Sequence, residues 1–147
     1  MYYSKVSKNI YLIRLKKAEK VCSSIKTFCQ KMGIKNGYLS AIGSIEDPTL
    51  AHYRVDTKKY TEKRLKGVFE VAPLTGNIGL HQGQPLIHNH ILISDQSMRS
   101  FGGHLVEAKV SATLEIILIK FDSSLTKSHD AEIGLKLYDL DKELRGK

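Results

Sequence analysis

The chain has 147 residues, 41% of them apolar and 26% charged, and a formal net charge of +8. These values suit a globular protein able to bury one core without disulfide or metal staples, so a single domain over residues 1–147 is expected. No apolar run approaches the ~18 residues needed to span a bilayer. The opening segment MYYSKVSKNIYLIRL lacks the continuous apolar stretch of a secretory signal, so no membrane association and a cytoplasmic location are expected.

In chain order, NIYLIRL (9–15) alternates as a strand does. The period then changes: Val21, Ile25, Phe28, Cys29 and Met32 form one apolar stripe of a helix over 18–33, and Gly33 stands where a C-cap is wanted. Strand signals follow one another from Gly37: GYLSAIGSI and PTLAHYRV about a turn-like EDP, then KKYTEKRL, VFEVAPLTGNIGL, a tight turn HQGQ, and PLIHNHILISD. DQSMRSFGG reads as a loop before the long run HLVEAKVSATLEIILIKF, and EIGLKLYDL as a last short strand. The pattern predicts an α+β domain, one main helix packed on a largely antiparallel sheet.

Cys22 and Cys29 lie on one face of that helix but ~10.5 Å apart along it, too far to be bridged, so they read as buried thiols of a reducing compartment. Charge is uneven. Residues 1–66 hold 15 Lys/Arg against 5 Asp/Glu, whereas residues 67–147 hold 8 against 10. A basic N-terminal half is one way to make a nucleic-acid footprint. It is equally a lysine-rich solvated face, and no aromatic stacking platform is interleaved.

The strand PLIHNHILISD carries His88 and His90 two residues apart. Alternate residues of a strand share a face at a spacing of about 6.6 Å, so two imidazoles can converge on one ion while Asn89 faces the other way. His104, after the permissive pair Gly102-Gly103, is the candidate third ligand. Three histidines with an open fourth position form a zinc-type pattern, although imidazole also suits copper, nickel or iron. Glu70 and Glu115, each in an apolar strand, are candidates for orienting a histidine or acting as a general base, or simply occupy polar strand faces. His52, His81 and His129 have no supporting pattern.

GVFEVAPLTGNIGL (67–80), HQGQPLIHNHILISD (81–95) and SFGGHLVEAKVSATLEIILI (100–119) together resemble the PPC domain, the plants-and-prokaryotes conserved domain. The likeness runs over about residues 10–122, with 123–147 as a C-terminal extension, and is most specific at Gly67–Glu70, Thr75–Ile78 and H-x-H followed by G-G-H. The resemblance implies a compact α+β fold assembling as a homotrimer. It also implies that His88, His90 and His104 hold a metal ion, usually zinc. Plant members carry an AT-hook ahead of the domain, whereas no R-G-R-P segment occurs among these residues. Ala72-Pro73 and Ala108 depart from the family pattern, and a proline after Glu70 predicts a break in strand pairing.

Three functions are expected in order. The first is a trimeric metal-binding module, regulatory or ligand-sensing, whose open metal position receives a small anionic molecule. The second is DNA contact through the basic N-terminal half. The third is a metal-dependent hydrolase or lyase in which metal-bound water attacks and Glu70 or Glu115 is the base.

Overall fold

The computed structural model describes residues 1–140, so the end of the C-terminal extension lies outside the described residues. The elements are β1 (Tyr2–Lys5), β2 (Ile10–Lys16), α1 (Val21–Lys31), β3 (Gly37–Arg54), β4 (Lys59–Arg64), β5 (Val68–His81), β6 (Gln84–Ser94), β7 (Ser100–Lys120), β8 (Lys127–His129) and β9 (Lys136–Tyr138). No helix among the described residues is long and apolar enough to cross a membrane.

Strands β1 to β7 form one antiparallel sheet in the order β1-β2-β7-β6-β5-β3-β4, and β7 also pairs with β3. That extra pairing closes a circuit β3–β5–β6–β7. Strands β3 and β7, 18 and 21 residues long, would span about 60–70 Å if straight. They bend instead, through register shifts in their mutual pairing between Gly43 and Ile45 and between Glu46 and Thr49. Alternation decides what is enclosed: Tyr11, Ile13 and Leu15 of β2 point inward with Leu39 of β3 and Leu114, Ile116 and Leu118 of β7.

The α+β expectation is corrected here. Among the described residues nine strands accompany one helix of 11 residues, so the fold is β-rich, mostly antiparallel sheet. The 3.6-residue apolar period is confined to one segment, and the helix it builds covers one patch of the sheet rather than forming a layer. Val21, Ile25, Phe28 and Cys29 are its buried stripe. The EDP turn is also corrected: β3 runs through it as an irregular stretch with Asp47 at φ +49°.

Helix α1 has no side-chain cap of its own at Lys20. Glu107 of β7 supplies one, its carboxylate accepting from the Cys22 backbone N–H at 2.8 Å and from the Ser23 N–H and hydroxyl at 3.2 and 2.7 Å. A negative charge there also meets the positive end of the helix dipole. At the other end Gly33 adopts φ +61°, as a C-terminal glycine should.

The segment after β7 is tied to the sheet by Asn36, whose fully buried side chain accepts from Leu125 N–H at 2.7 Å and donates to the Leu125 carbonyl at 2.8 Å. It continues into the β8–β9 hairpin, secured by Tyr138 and Tyr53 hydroxyls donating to the carbonyls of Ile78 and Ile133 at 2.9 and 2.7 Å.

Replacing Glu107 with alanine removes the only side-chain cap of α1 described here, and about 1–2 kcal/mol of stability should go with it. Urea denaturation followed by circular dichroism measures this, and an unchanged midpoint would show that the cap is energetically idle.

Candidate metal centre

His88 and His90 lie on the outer face of β6, whereas Asn89 between them is buried and donates to Cys22 Sγ of α1 at 3.6 Å. The period of two thus separates a histidine face from a core face within three residues. In β6–β7 pairing, His90 stands directly opposite His104. Directly opposed residues of an antiparallel pair project to the same side with short Cβ separations. The three rings form a triangle with centroid separations of 5.0 Å for His88–His90, 5.2 Å for His88–His104 and 5.7 Å for His90–His104. One nitrogen from each lies within 4.8 Å of the others.

Two glycines let the histidine-bearing strands lie close to their other neighbours, β7 to β3 and β6 to β5. A Cβ on Gly103 would stand 2.9 Å from the Ala51 carbonyl oxygen, in a residue with φ +157°. One on Gly76 would stand 2.7 Å from the His88 carbonyl oxygen and 2.8 Å from Asn89 Cβ. A side chain at Gly103 would force β7 away from β3, and one at Gly76 would force β5 away from β6, so either would displace a strand that carries the histidines.

The donor set fits a transition metal. His104 Nδ1 is buried with no hydrogen-bond partner among the described residues, a costly state for a polar atom unless something else engages it. A shared ion at Zn–N distances of ~2.0–2.1 Å needs nitrogens roughly 3.4 Å apart, which is within reach of small ring rotations from this triangle. Desolvation and the charges of His104, His90 and Lys127 push His88 down to about 4. His104 is lowered as well, by desolvation first and then His90, with the Glu62 carboxylate opposing. Near neutral pH these two rings are therefore uncharged, the form that ligates.

Glu70 and Glu115 are not brought to the triad. Glu70 is exposed opposite Ser94, four residues along β6 from His90, or about 13 Å of strand. Glu115 is exposed on the far part of β7 between Arg14 and Ile42, in a groove with Leu12 and Ile117. A hydrolytic reading would need a different base. His52 is exposed on β3, and His81 Nδ1 donates to the Lys127 carbonyl at 2.8 Å.

Comparison with known proteins decides the family. The model of the Plants and Prokaryotes Conserved (PCC) domain matches residues 2–122. The chain belongs to this family. A comparison with curated proteins returned no match. Among solved structures, a "putative DNA-binding protein" from Bacteroides thetaiotaomicron superposes with a TM-score of 0.92 at 26% identity, over 96% of this chain and 98% of that one. A plant- and prokaryote-conserved protein from Pyrococcus horikoshii gives 0.84 at 29% identity, over 97% of each chain. A metal-containing protein from Archaeoglobus fulgidus gives 0.84 at 26% identity, over 95% and 99%.

Within this plants-and-prokaryotes fold the departures find their places. Pairing does break after Glu70: Ala72-Pro73 falls in a register shift between Val71 and Leu74, after which β5 resumes. Ala108 is simply buried in the core.

Four residues stand beside the triad that the sequence does not connect to it: His129 has no supporting pattern, and Tyr60, Lys127 and Lys136 are not singled out. Tyr60 of β4 stacks at 5.5 Å from His104. His129 and Lys136 of the β8–β9 hairpin line the cleft shared by His88 and His104. Lys127 is 4% exposed, donates to Asn77 Oδ1 and lies 4.3 Å over the Tyr138 ring, its pKa lowered by desolvation. Their positions depend on long-range docking, which no local pattern in the sequence reports.

The lowered pKa of His88 has a thermodynamic consequence. The folded value is about 4 and an unfolded histidine titrates near 6.5, so between those values the folded state binds fewer protons. Stability of the metal-free protein should therefore fall as pH drops through about 6.5 toward 4, with no contribution above that window. Urea midpoints at about pH 7 and about pH 5 should differ less in His88→Asn than in the parent. Equal differences in both would sink the assignment.

Proposed function

We propose that the protein is a metal-binding regulatory module in which His88, His90 and His104 hold a transition ion, with zinc the best match. The observation that carries this reading is the triangle of imidazoles on paired strands, nitrogens within 4.8 Å, with His104 Nδ1 buried and without a partner among the described residues. The metal-containing neighbour from Archaeoglobus fulgidus supports it. Three imidazoles and an open position would supply a Lewis-acidic point able to take an anionic donor. The chain's own part is to fix the rings on strands inside a closed circuit, and to keep His88 and His104 unprotonated.

A homotrimer is part of the proposal. The outer faces of β2, β3 and β7 expose Leu12, Ile42 and Ile117, at 46%, 62% and 50% of their surfaces, an apolar patch of the kind that association covers. A cytoplasmic setting suits Cys22 and Cys29, free thiols that burial pushes up to about 12.

Elemental analysis of the purified protein beside His88→Ala/His90→Ala/His104→Ala tests the site. Near-stoichiometric metal, lost in the variant, is expected, and light scattering on the same sample should give three times the chain mass. A parent that stays metal-free after reconstitution would remove the reading.

DNA contact is the second reading, favoured by the neighbour from Bacteroides thetaiotaomicron and by one surface feature. Arg54, Lys58, Lys59, Lys63, Arg64 and Lys66 are exposed together on and beside the β3–β4 hairpin. Phosphate contacts by such a cluster make binding fall steeply with salt. Duplex DNA should be retained on filters at low salt, and Lys59→Glu/Lys63→Glu/Lys66→Glu should weaken retention for every sequence alike. No retention at any ionic strength would dismiss this reading.

A further inference from the structure

The triad stands between two clefts of different character. One, about 320 Å3, adjoins His88 and His90 and is walled by Tyr38, Thr75, Gly76 and Asn77, without a cationic side chain. The other, about 340 Å3, adjoins His88 and His104 on the side where the β8–β9 hairpin lies. We infer that this second cleft is a binding site for a small monocarboxylate with a short apolar chain, its carboxylate toward the triad and its chain between Leu86 and Leu135. The inference rests on the triad holding a metal and deepens that reading by naming the ligand class and the wall that selects it.

Charge favours an anion. His129 and Lys136 line the cleft beside His88 and His104, and among the described residues no carboxylate does. The Lys127 ammonium, buried under the hairpin, acts on His88 from beneath. Charge also limits the anion. The cleft offers one lysine and no arginine fork, the group suited to gripping a phosphate in two places. The Glu62 carboxylate reaches His104 electrostatically from the β4 side, which disfavours a second negative charge. A monoanion fits better than a phosphate.

The remaining walls favour an apolar body. Tyr60, Leu86, Ile87, Leu135 and Leu137 make up the rest of the lining with Gly134, and a volume of about 340 Å3 is at the small end of ligand pockets. The hairpin supplying Leu135 is held by Asn36, Tyr53 and Tyr138, so the wall is preformed rather than recruited by the ligand.

The test uses the full chain loaded with cobalt(II), whose visible spectrum reports a change of ligand, and titrates hexanoate, acetate and hexylamine as probes. Hexanoate should shift the spectrum and bind at least tenfold more tightly than acetate, with hexylamine silent. Leu135→Asn, which removes the apolar wall without adding charge, should cost hexanoate at least tenfold while leaving metal content and acetate affinity unchanged. Stoichiometric cobalt with hexanoate no tighter than acetate, or with Leu135→Asn indistinguishable from the parent, overturns the cleft and leaves the metal reading standing. Failure to take up cobalt overturns both, and elemental analysis tells the two failures apart.

Discussion

The pairing of His90 with His104 across β6 and β7 is the constraint on which the rest of the site depends. Side chains alternate faces with a period of two, so a slip of one residue in β6 would send His88 and His90 into the core and Asn89 outward. The register is pinned from both sides. Inward, Ile91 and Ile93 join the core and Asn89 meets Cys22 of the helix. Outward, Thr75, His90, His104, Ala51 and Glu62 form one row across five neighbouring strands. Because β3, β5, β6 and β7 close on one another, the row cannot splay without breaking ladders on two sides. The fold itself holds the histidines in place, which is what a tight, selective metal site would require.

Several parts of this arrangement were legible in the sequence because they depend on local period or local chemistry. The H-x-H spacing, the glycines before His104, the helix stripe from Val21 to Met32 and the glycine that ends it are of this kind. The overall class was misread because one clear helix was given the weight of a layer. Strand β1 was missed since Tyr2–Lys5 is exposed throughout and has no buried face to generate alternation. At EDP the turn chemistry is real, yet it is spent on an irregularity that lets an 18-residue strand bend. Carboxylates posed the hardest problem. An acidic residue in an apolar strand shows which face it shares, not which neighbour it meets, and that neighbour is set by pairings far apart in sequence.

The C-terminal segment illustrates the same limit from the opposite direction. Lys127 reads in sequence as one more surface lysine, yet it is buried with Asn77 and the Tyr138 ring as its partners. Stripping an ammonium of water is expensive, and a single hydrogen bond with a cation–π contact offsets only part of that. Such a cation is tolerated where the surrounding chain over-determines its position, here through Asn36 and the two tyrosine hydroxyls. The hairpin therefore brings charge as well as bulk to one side of the triad.

The basic N-terminal half takes on a different meaning once placed in the fold. Most of its basic residues lie at the two ends of the strand order, on or beside β1–β2 and β3–β4, while Lys26 and Lys31 are on α1. Strand β4 is exposed along its whole length, and among the described strands it pairs on one side only, with β3. Charged side chains on such an edge discourage pairing with another chain, so lysines there have a structural reason to exist without any nucleic acid. Net charge alone therefore does not choose between a protected edge and a phosphate-binding surface. Placement does discriminate. Edge protection requires only charge of either sign, whereas phosphate contact requires the charge to be uniformly positive and left unpaired. On the β3–β4 hairpin Arg64 is already engaged by Asp47 at 3.1 Å, and Glu62 interrupts the run, a mixture closer to the requirement of an edge than to that of a groove reader.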